Sequence, residues 1–281
     1  MGTLYRDELI TKSLRVGDRN QNFEVGYVNE DEHGEIIGFG VRMTLPEMTP
    51  DEAEAAEATI DGNVLALVDV GDVVRFEGNV FIKAAVPGED AWATASDLAG
   101  LINALGDWGA VENSGDVDIT AAVGGAAWNN RVASVDVLVD TTSGGDPSTP
   151  ASATIEAAVL LQLAKGDTVE FAGKVFTKAD ATSVDEDTFE DAAGLITCIN
   201  ALSDWAAVDD SGDIDITAEA NGEEYNDFDI MVTFNVVTAG GVNGTPAPKG
   251  GVVFDSDAVY ISIEESTIAE THWKKVALTD V

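Results

Sequence analysis

The chain has 281 residues, of which 45% are hydrophobic and 23% charged, so it is long enough and apolar enough to bury a core. Its 52 Asp and Glu residues outnumber 14 Lys and Arg residues, giving a net charge of −38, so we expect neither a nucleic-acid partner nor a membrane partner. With a single cysteine and two histidines, the chain can form neither an intramolecular disulfide nor a Cys/His zinc site.

The acidic charge is spread from Asp7 to Asp280 and does not form one tail. The composition resembles that of proteins from extreme halophiles. An acidic surface of this kind suits a salty solvent, because molar salt shortens the Debye length to about 3 Å and suppresses the self-repulsion of the carboxylates. An ordinary acidic surface that favours solubility is the alternative interpretation.

Residues 1–57 form the first predicted region. Their start, MGTLYRDELITKSLRVGDRNQ, lacks the apolar stretch of a secretory signal, and no run of 18 apolar residues occurs anywhere, so we expect folding inside a cell. Arg6, Arg15 and Arg19 make this region the least acidic, which suits either an arm that docks on another acidic protein or a first strand that completes a sheet. Thr49 followed by Pro50 predicts the start of a helix.

The middle of the chain contains an internal repeat. VGDVVRFEGNVFIKA (70–84) recurs as KGDTVEFAGKVFTKA (165–179), and INALGDWGAVENSGDVDITA (102–121) recurs as INALSDWAAVDDSGDIDITA (199–218). The offset changes from 95 to 97 between the two blocks, which indicates a two-residue insertion in a surface connection of the second copy. The repeat predicts two tandem modules, residues 58–150 and 151–247.

Both copies predict the same elements in the same order. Alternating apolar residues around Glu77 and Gly78 indicate a β-hairpin, and Leu98, Ile102 and Leu105 would share one face of a helix. The alternation in DVDITA predicts a half-buried strand, and a last strand falls near residues 135–139 and 232–236. The predicted fold class is α+β and β-rich, with two duplicated small domains. Linkers rich in Gly, Pro and Thr favour modules separated like beads, although packing together stays open.

The repeat resembles a module of structural proteins of tailed viruses, in which a hairpin, an Ala-rich helix and an Ile-Thr-Ala strand succeed one another. The matching residues of the second copy are Gly166, Asp167, Thr168, Val169, Gly173, Lys174, Phe176, Leu195, Ile199, Asn200, Ile216, Thr217 and Ala218. Residues 248–281 resemble the short β module that closes many phage capsid-associated and fibre proteins, on Asp257, Tyr260, Ile261, Ile263, Thr267, Trp273, Lys274, Lys275, Val276 and Leu278.

This resemblance implies a non-enzymatic virion protein that is assembled in the host cytoplasm. Capsid decoration or a surface projection that stabilises the particle in high salt is favoured, with a tail tube, fibre or spike component as the first alternative. The implied partners are the major capsid protein or other virion proteins, and further copies of this chain in a homo-oligomer. A cell-surface adhesin or surface-layer protein is the alternative from another class.

The residue types that carry chemistry do not form a motif. His33 and His272 are expected at the surface, and Cys198 aligns with Leu101 of the first copy, as a small buried hydrophobe would. Three acidic groups could bind Ca²⁺ through carboxylate oxygens, namely Asp116 with Asp118, Asp213 with Asp215, and the acidic run at residues 184–191. For all three, a solvated acidic surface is the preferred interpretation. Asn243 begins an N-glycosylation sequon. We predict no catalytic residue, no cofactor and no metal.

Overall fold

The computed structural model describes residues 22–30, 36–44, 53–244, 252–254, 258–265 and 273–277. The chain divides into two compact units, residues 54–242 and residues 1–53 together with 243–281. Strands dominate and helices are few, so the predicted α+β, β-rich class is confirmed. Within the described residues, no helix is both long enough and apolar enough to cross a membrane.

The first described strands are β1 (Asn22–Glu30) and β2 (Ile36–Thr44), which pair antiparallel in a two-stranded sheet. Thr49 and Pro50, the predicted helix start, lie outside the described residues. The predicted helix does not continue into the described chain, because residues 53–56 are not helical and β3 (Glu57–Ile60) follows them. The Ala and Glu run that favours a helix is overridden here by pairing of β3 with a strand of the repeat.

Residues 54–242 contain the same order of elements twice. After β3, the first half contains α1 (Gly62–Leu65), β4 (Val73–Phe76), β5 (Asn79–Lys83), β6 (Ala91–Trp92), α2 (Ala95–Asn103), β7 (Trp108–Asn113), β8 (Asp116–Ala121) and β9 (Val132–Thr141). The second half contains β10 (Pro150–Ile155), α3 (Ala157–Leu160), β11 (Thr168–Phe171), β12 (Lys174–Lys178), β13 (Thr188–Phe189), α4 (Ala192–Ile199), β14 (Trp205–Asp210), β15 (Asp213–Asn221) and β16 (Asp229–Val237). The duplication itself stays an inference from the sequence.

One eight-stranded sheet passes through both halves, in the order β13-β12-β11-β16-β9-β4-β5-β6. Its central pair, β9 with β16, joins the two halves in antiparallel register. Each half adds a three-stranded sheet, β3-β8-β7 in the first and β10-β15-β14 in the second. The bead-like arrangement favoured by the linkers is therefore wrong, because the halves share a sheet and one hydrophobic core. The predicted boundaries of the four segments stay a prediction.

The core forms on one side of the eight-stranded sheet. Strand alternation turns Val74, Phe76 and their counterparts inward, and these side chains are almost completely buried. Phe76 meets Trp108 edge to face with ring centroids 5.0 Å apart, and Phe171 meets Trp205 in the same way at 4.8 Å. Burial of each such aromatic ring contributes about 1.5–3 kcal/mol before entropy is counted. The repeated aromatic positions therefore carry much of the packing.

The predicted hairpin turn is present in both halves. Glu77 and Gly78 have φ angles of 50° and 77°, and Ala172 and Gly173 have φ angles of 50° and 75°. Two successive residues with positive φ are typical of the type I′ turn, whose twist matches that of the flanking strands. Glycine at the second position of each turn therefore lowers the cost of a conformation that most side chains disfavour.

The last described strands are β17 (Val252–Phe254), β18 (Ala258–Ser262) and β19 (Trp273–Ala277), which form an antiparallel sheet in that order. The sequence predicts a strand pair in this segment, and β17 is an additional strand. Tyr260 pairs with Lys275 in register, and the ammonium of Lys275 lies 5.6 Å from the ring centroid of Tyr260. The resemblance of this segment to a phage β module stays a prediction.

Candidate interaction surface

The four strand carboxylates considered as cation ligands instead accept hydrogen bonds within their own halves. Asp116 accepts from the backbone N–H of Gly62 at 2.7 Å, and Asp213 accepts from that of Ala157 at 2.7 Å. Asp118 and Asp215 accept from threonine hydroxyls on the neighbouring strand, both at 2.8 Å. These carboxylates fix β3 and β10 to the adjacent strands. Among the described residues, no group of three or more His, Cys, Asp or Glu side chains could hold a metal ion.

The acidic run at residues 184–191 is divided among separate structural roles. Asp187 pairs with the ammonium of Lys174 at 3.1 Å. Asp191 is the N-cap of α4, and its side chain accepts from the backbone N–H of Gly194 at 2.8 Å. Asp185 and Glu186 are exposed. The run therefore does not converge on one point.

Cys198 lies on the buried face of α4 and is 1% exposed. Its Sγ is 3.3 Å from the carbonyl oxygen of Thr188. Burial, and then the negative charge of Asp187, raise the pKa of the thiol, so the reactive thiolate is disfavoured. The environment is that of the small buried hydrophobe expected at this position.

Several residues considered from the sequence fall outside the described residues. These are the two histidines, the three arginines of the first region and the threonine of the sequon: His33, His272, Arg6, Arg15, Arg19 and Thr245. Their predicted roles stay predictions.

Sequence reasoning missed the role of the asparagine that ends each repeated helix. Asn103 donates to the carbonyl of Ala110 and accepts from its N–H, both at 2.7 Å. Asn200 does the same for Ala207, at 3.0 Å and 2.6 Å. These amides satisfy backbone groups on the edge strands β7 and β14, which would otherwise remain free to pair. Their identity in both copies of the INAL segment was the available signal.

Sequence reasoning also missed how the two halves interlock. Thr142, which follows β9, is fully buried and donates to the carbonyl of Tyr225 in the second half at 2.6 Å. Thr238, which follows β16, is almost fully buried and donates to the carbonyl of Trp128 in the first half at 2.6 Å. The segment that leaves each half is therefore anchored on the other half.

Two further asparagines extend this exchange. Asn226 accepts from the N–H of Gly145 at 2.8 Å and donates to its carbonyl at 3.0 Å. Asn129 makes the matching bonds with Gly241, at 2.8 Å and 2.9 Å. A Cβ at Gly145 would lie 2.4 Å from the carbonyl oxygen of Gly222, and one at Gly241 would lie 2.5 Å from that of Gly125. Glycine is therefore required sterically at both places.

A shallow cleft of about 180 Å³ opens between the two halves of this unit, beside β3 and β16. Asp167 lies at its wall, where it accepts from the backbone N–H groups of Asn235 at 2.7 Å and Ala164 at 2.6 Å. Burial raises the pKa of this carboxyl, while the two hydrogen bonds lower it less. Asp167 therefore connects the turn before β11 to β16, a structural role that the repeated Gly-Asp pair did not reveal.

The side of the eight-stranded sheet opposite the core is a second candidate surface, formed by β4, β5, β9, β11, β12 and β16. We name this side the open sheet face. Strand register places one continuous row across it, and this row consists of Ile82, Val73, Asp136, Thr233, Thr168 and Thr177. Six apolar side chains of this face are between 39% and 49% exposed, namely Val80, Ile82, Val132, Leu138, Val175 and Val237. A group of exposed apolar side chains of this kind is typical of a protein interaction site.

The open sheet face carries charges of both signs near its centre. By strand alternation, Arg75 and Glu170 point to this face, whereas Lys83, Lys174 and Lys178 lie on the opposite side of the sheet with Phe81 and Phe176. Arg75 donates from Nε to Asp136 at 2.7 Å, and its side chain is 55% exposed. Asp136 also accepts from the hydroxyl of Thr233 at 3.0 Å. The centre of this face therefore contains an Arg–Asp ion pair near the exposed Glu170, so that charges of both signs are available to a partner.

No protein-family model matches this chain, and no curated protein and no solved structure proved significantly similar to it.

Proposed function

We propose that this chain is a non-enzymatic structural protein of a tailed-virus particle, with capsid decoration or a surface projection as its role. The observation that carries the proposal is the open sheet face. A broad sheet surface with exposed Val80, Ile82, Val132 and Leu138 suits contact with another protein, whereas a small ligand needs a concave site. The resemblance of the repeat and of residues 248–281 to virion modules supplies the kind of assembly.

The charge supports a particle that works in high salt. At low ionic strength a net charge of −38 would oppose association of copies with each other and with an acidic shell. Molar salt screens this repulsion within about 3 Å, so contacts between apolar sheet faces can then dominate. The proposed role is therefore to stabilise a particle by binding, with the major capsid protein or another virion protein as partner.

A tail tube, fibre or spike component is the alternative within the same class. Both roles use protein contacts, and they differ in copy number. An adhesin or surface-layer protein is the alternative outside the virion.

Quantitative mass spectrometry of virus particles purified in high salt tests the proposal. We expect this chain in the particles at a copy number comparable with that of the major capsid protein. A copy number in the range of tail or vertex components would assign the chain to a tube, fibre or spike. Absence from washed particles, with the chain recovered from the host cell surface, would overturn the virion role.

A further inference from the structure

The open sheet face has a local two-fold axis at its centre. Asp136 pairs directly with Thr233, and these two positions are equivalent in the repeat at the offset of 97. At the same offset, Val135 is equivalent to Val232 and Val137 to Phe234. The axis therefore exchanges the pair Val135 with Phe234 for the pair Val137 with Val232. The axis is perpendicular to the sheet and relates the first half of the face to the second.

Opposite charges occupy two positions that this axis relates. Arg75 on β4 lies opposite Ser134, and Glu170 on β11 lies opposite Met231, the repeat equivalent of Ser134. From strand spacings, each lies about 7 Å from the axis across the strands and about 7 Å along them, in opposite directions. The line from Arg75 to Glu170 therefore passes through the axis at about 45° to the strands.

We propose that the open sheet face binds the same face of a second copy of this chain. A two-fold axis in the plane of the interface, perpendicular to the line from Arg75 to Glu170, places Arg75 of each copy against Glu170 of the other. Because that line runs at about 45° to the strands, the sheets cross at about 90°, one of the two preferred angles of sheet packing. This inference rests on the proposed structural function, for which it names a partner.

The guanidinium of Arg75 can serve both contacts. Its Nε donates to Asp136 within the same copy, and the guanidinium has further N–H donors. A chain of charges from Asp136 through Arg75 to Glu170 of the other copy offsets the approach of the two Asp136 side chains near the centre. Val80 and Val175, which pair with Arg75 and Glu170 in register, place apolar surface beside each contact.

The charge of the face favours a second copy as the occupant, and its size predicts a weak dimer. Six strands spaced by about 4.8 Å and side-chain rows spanning about 20 Å give a face of about 29 by 20 Å. Two such faces that cross at about 90° overlap over about 20 by 20 Å, or about 400 Å² per copy, which is the size of a weak, concentration-dependent complex. Arg75 and Glu170 occupy positions that the axis relates, so the face is complementary in charge to itself and a second copy meets each of these charges with the opposite one.

Sedimentation equilibrium of the full chain, from 0.15 M to 2 M NaCl, tests the proposal with charge reversals. We expect a dimer that tightens as salt rises, because general repulsion is screened while the apolar contact remains. Arg75→Glu and Glu170→Arg should each weaken the dimer by about tenfold or more, since each creates two like-charge contacts. An equal mixture of the two variants should restore dimers as heterodimers, in which both contacts are again complementary.

Two further substitutions separate the open sheet face from other exposed apolar positions. Ile82→Asp should abolish the dimer, whereas Val208→Asp, at an exposed position on β14, should leave it unchanged. Far-UV circular dichroism and thermal unfolding confirm that each variant is folded. A monomeric wild type at every salt concentration would overturn the proposal, as would single variants that dimerise normally or a mixture that fails to restore dimers. Because purified protein is used, these outcomes are independent of whether the chain is found in particles.

Discussion

Glu54 and Val242 exchange two backbone hydrogen bonds, each donating its N–H to the carbonyl of the other at 3.0 Å. The chain therefore enters and leaves the repeat unit at adjacent positions. The segment after β16 pairs beside β3, through a bridge between Glu57 and Ala239. In the second half, Ser143 pairs with Ser152 at the corresponding place. The last residues of the unit therefore pair with the first residues of its first half.

This closure predicts that residues 54–242 fold when they are produced alone. We expect a single cooperative unfolding transition and a β-rich circular dichroism spectrum, because the shared core and the eight-stranded sheet lie within this range. Residues 54–150 alone, which lack β16 as the partner of β9, should not fold. A stable, cooperative half, or an unfolded 54–242 fragment at molar salt, would contradict the prediction.

The interlocking threonines predict a shared loss of stability. Thr142→Val or Thr238→Val removes one buried donor and leaves backbone groups of the other half without their partner, at a cost of about 1–3 kcal/mol. Chemical denaturation should show one shifted transition and not two, because each threonine holds both halves together. Thr197→Val, at an exposed position on α4, is the matched control and should change stability by less than about 0.5 kcal/mol.

The edge-strand amides predict a second set of effects. Asn103→Ala and Asn200→Ala should each lower the free energy of unfolding by about 1–3 kcal/mol, since an N–H and a carbonyl on the edge strand lose their partner. Asn113→Ala, which removes an exposed side-chain hydrogen bond, should have little effect. We also expect the two helix variants to aggregate sooner on heating, because the edges of β7 and β14 become available for pairing. Equal stability of all three variants would refute this role.

Asp167 predicts a pH-dependent effect of substitution. Burial raises its pKa in the folded protein above the ordinary value of 3.8, so the folded state binds this proton more tightly than the unfolded chain does. The stability that Asp167 contributes is therefore fully present below pH 3.8 and is lost as pH rises through the folded pKa. Asp167→Asn should accordingly cost most at acidic pH and progressively less towards neutral pH. Denaturation curves of both proteins between pH 3.5 and pH 7 measure the difference, and a cost that grows with pH would contradict the assignment.

Cys198 predicts protection of its thiol. We expect iodoacetamide to modify it at least about 100-fold more slowly in the folded protein than in denaturant, because burial hides Sγ and raises the pKa of the thiol. Labelling should follow global unfolding as denaturant is added. Rapid, complete labelling of the native protein at pH 8 would show that α4 opens locally.

Local elements were predictable because their signals are contained in a few neighbouring residues. The turn at Glu77 and Gly78, the helix around Leu98 and the strand that contains Ile119 all follow from periodicity and turn chemistry. The two-residue strands β6 and β13 gave no such signal, since their pairing depends on β5 and β12. The helix predicted from Thr49 failed for a related reason, because the pairing of β3 outweighs local propensity.

The candidate surface required the tertiary structure. In the sequence, nothing distinguishes Val80, Leu138 and Val175 from apolar strand residues that are buried. Only the shared sheet shows that these three lie on one exposed face. The Gly-rich linkers predicted separated modules, but their glycines have another role. Gly145 and Gly241 allow the two halves to pack closely, which only the tertiary structure shows.

The sequence by itself determined the β-rich class, the repeated order of elements, the turns and the acidic surface, because these depend on composition and on short-range periodicity. Only the tertiary structure decided that β9 pairs with β16, that each half anchors the end of the other, and which strand face remains open. Those features depend on hydrogen bonds between residues far apart in the chain, such as Thr142 with Tyr225, which are 83 positions apart. Their stability is set by packing of the complete unit, which no short segment encodes.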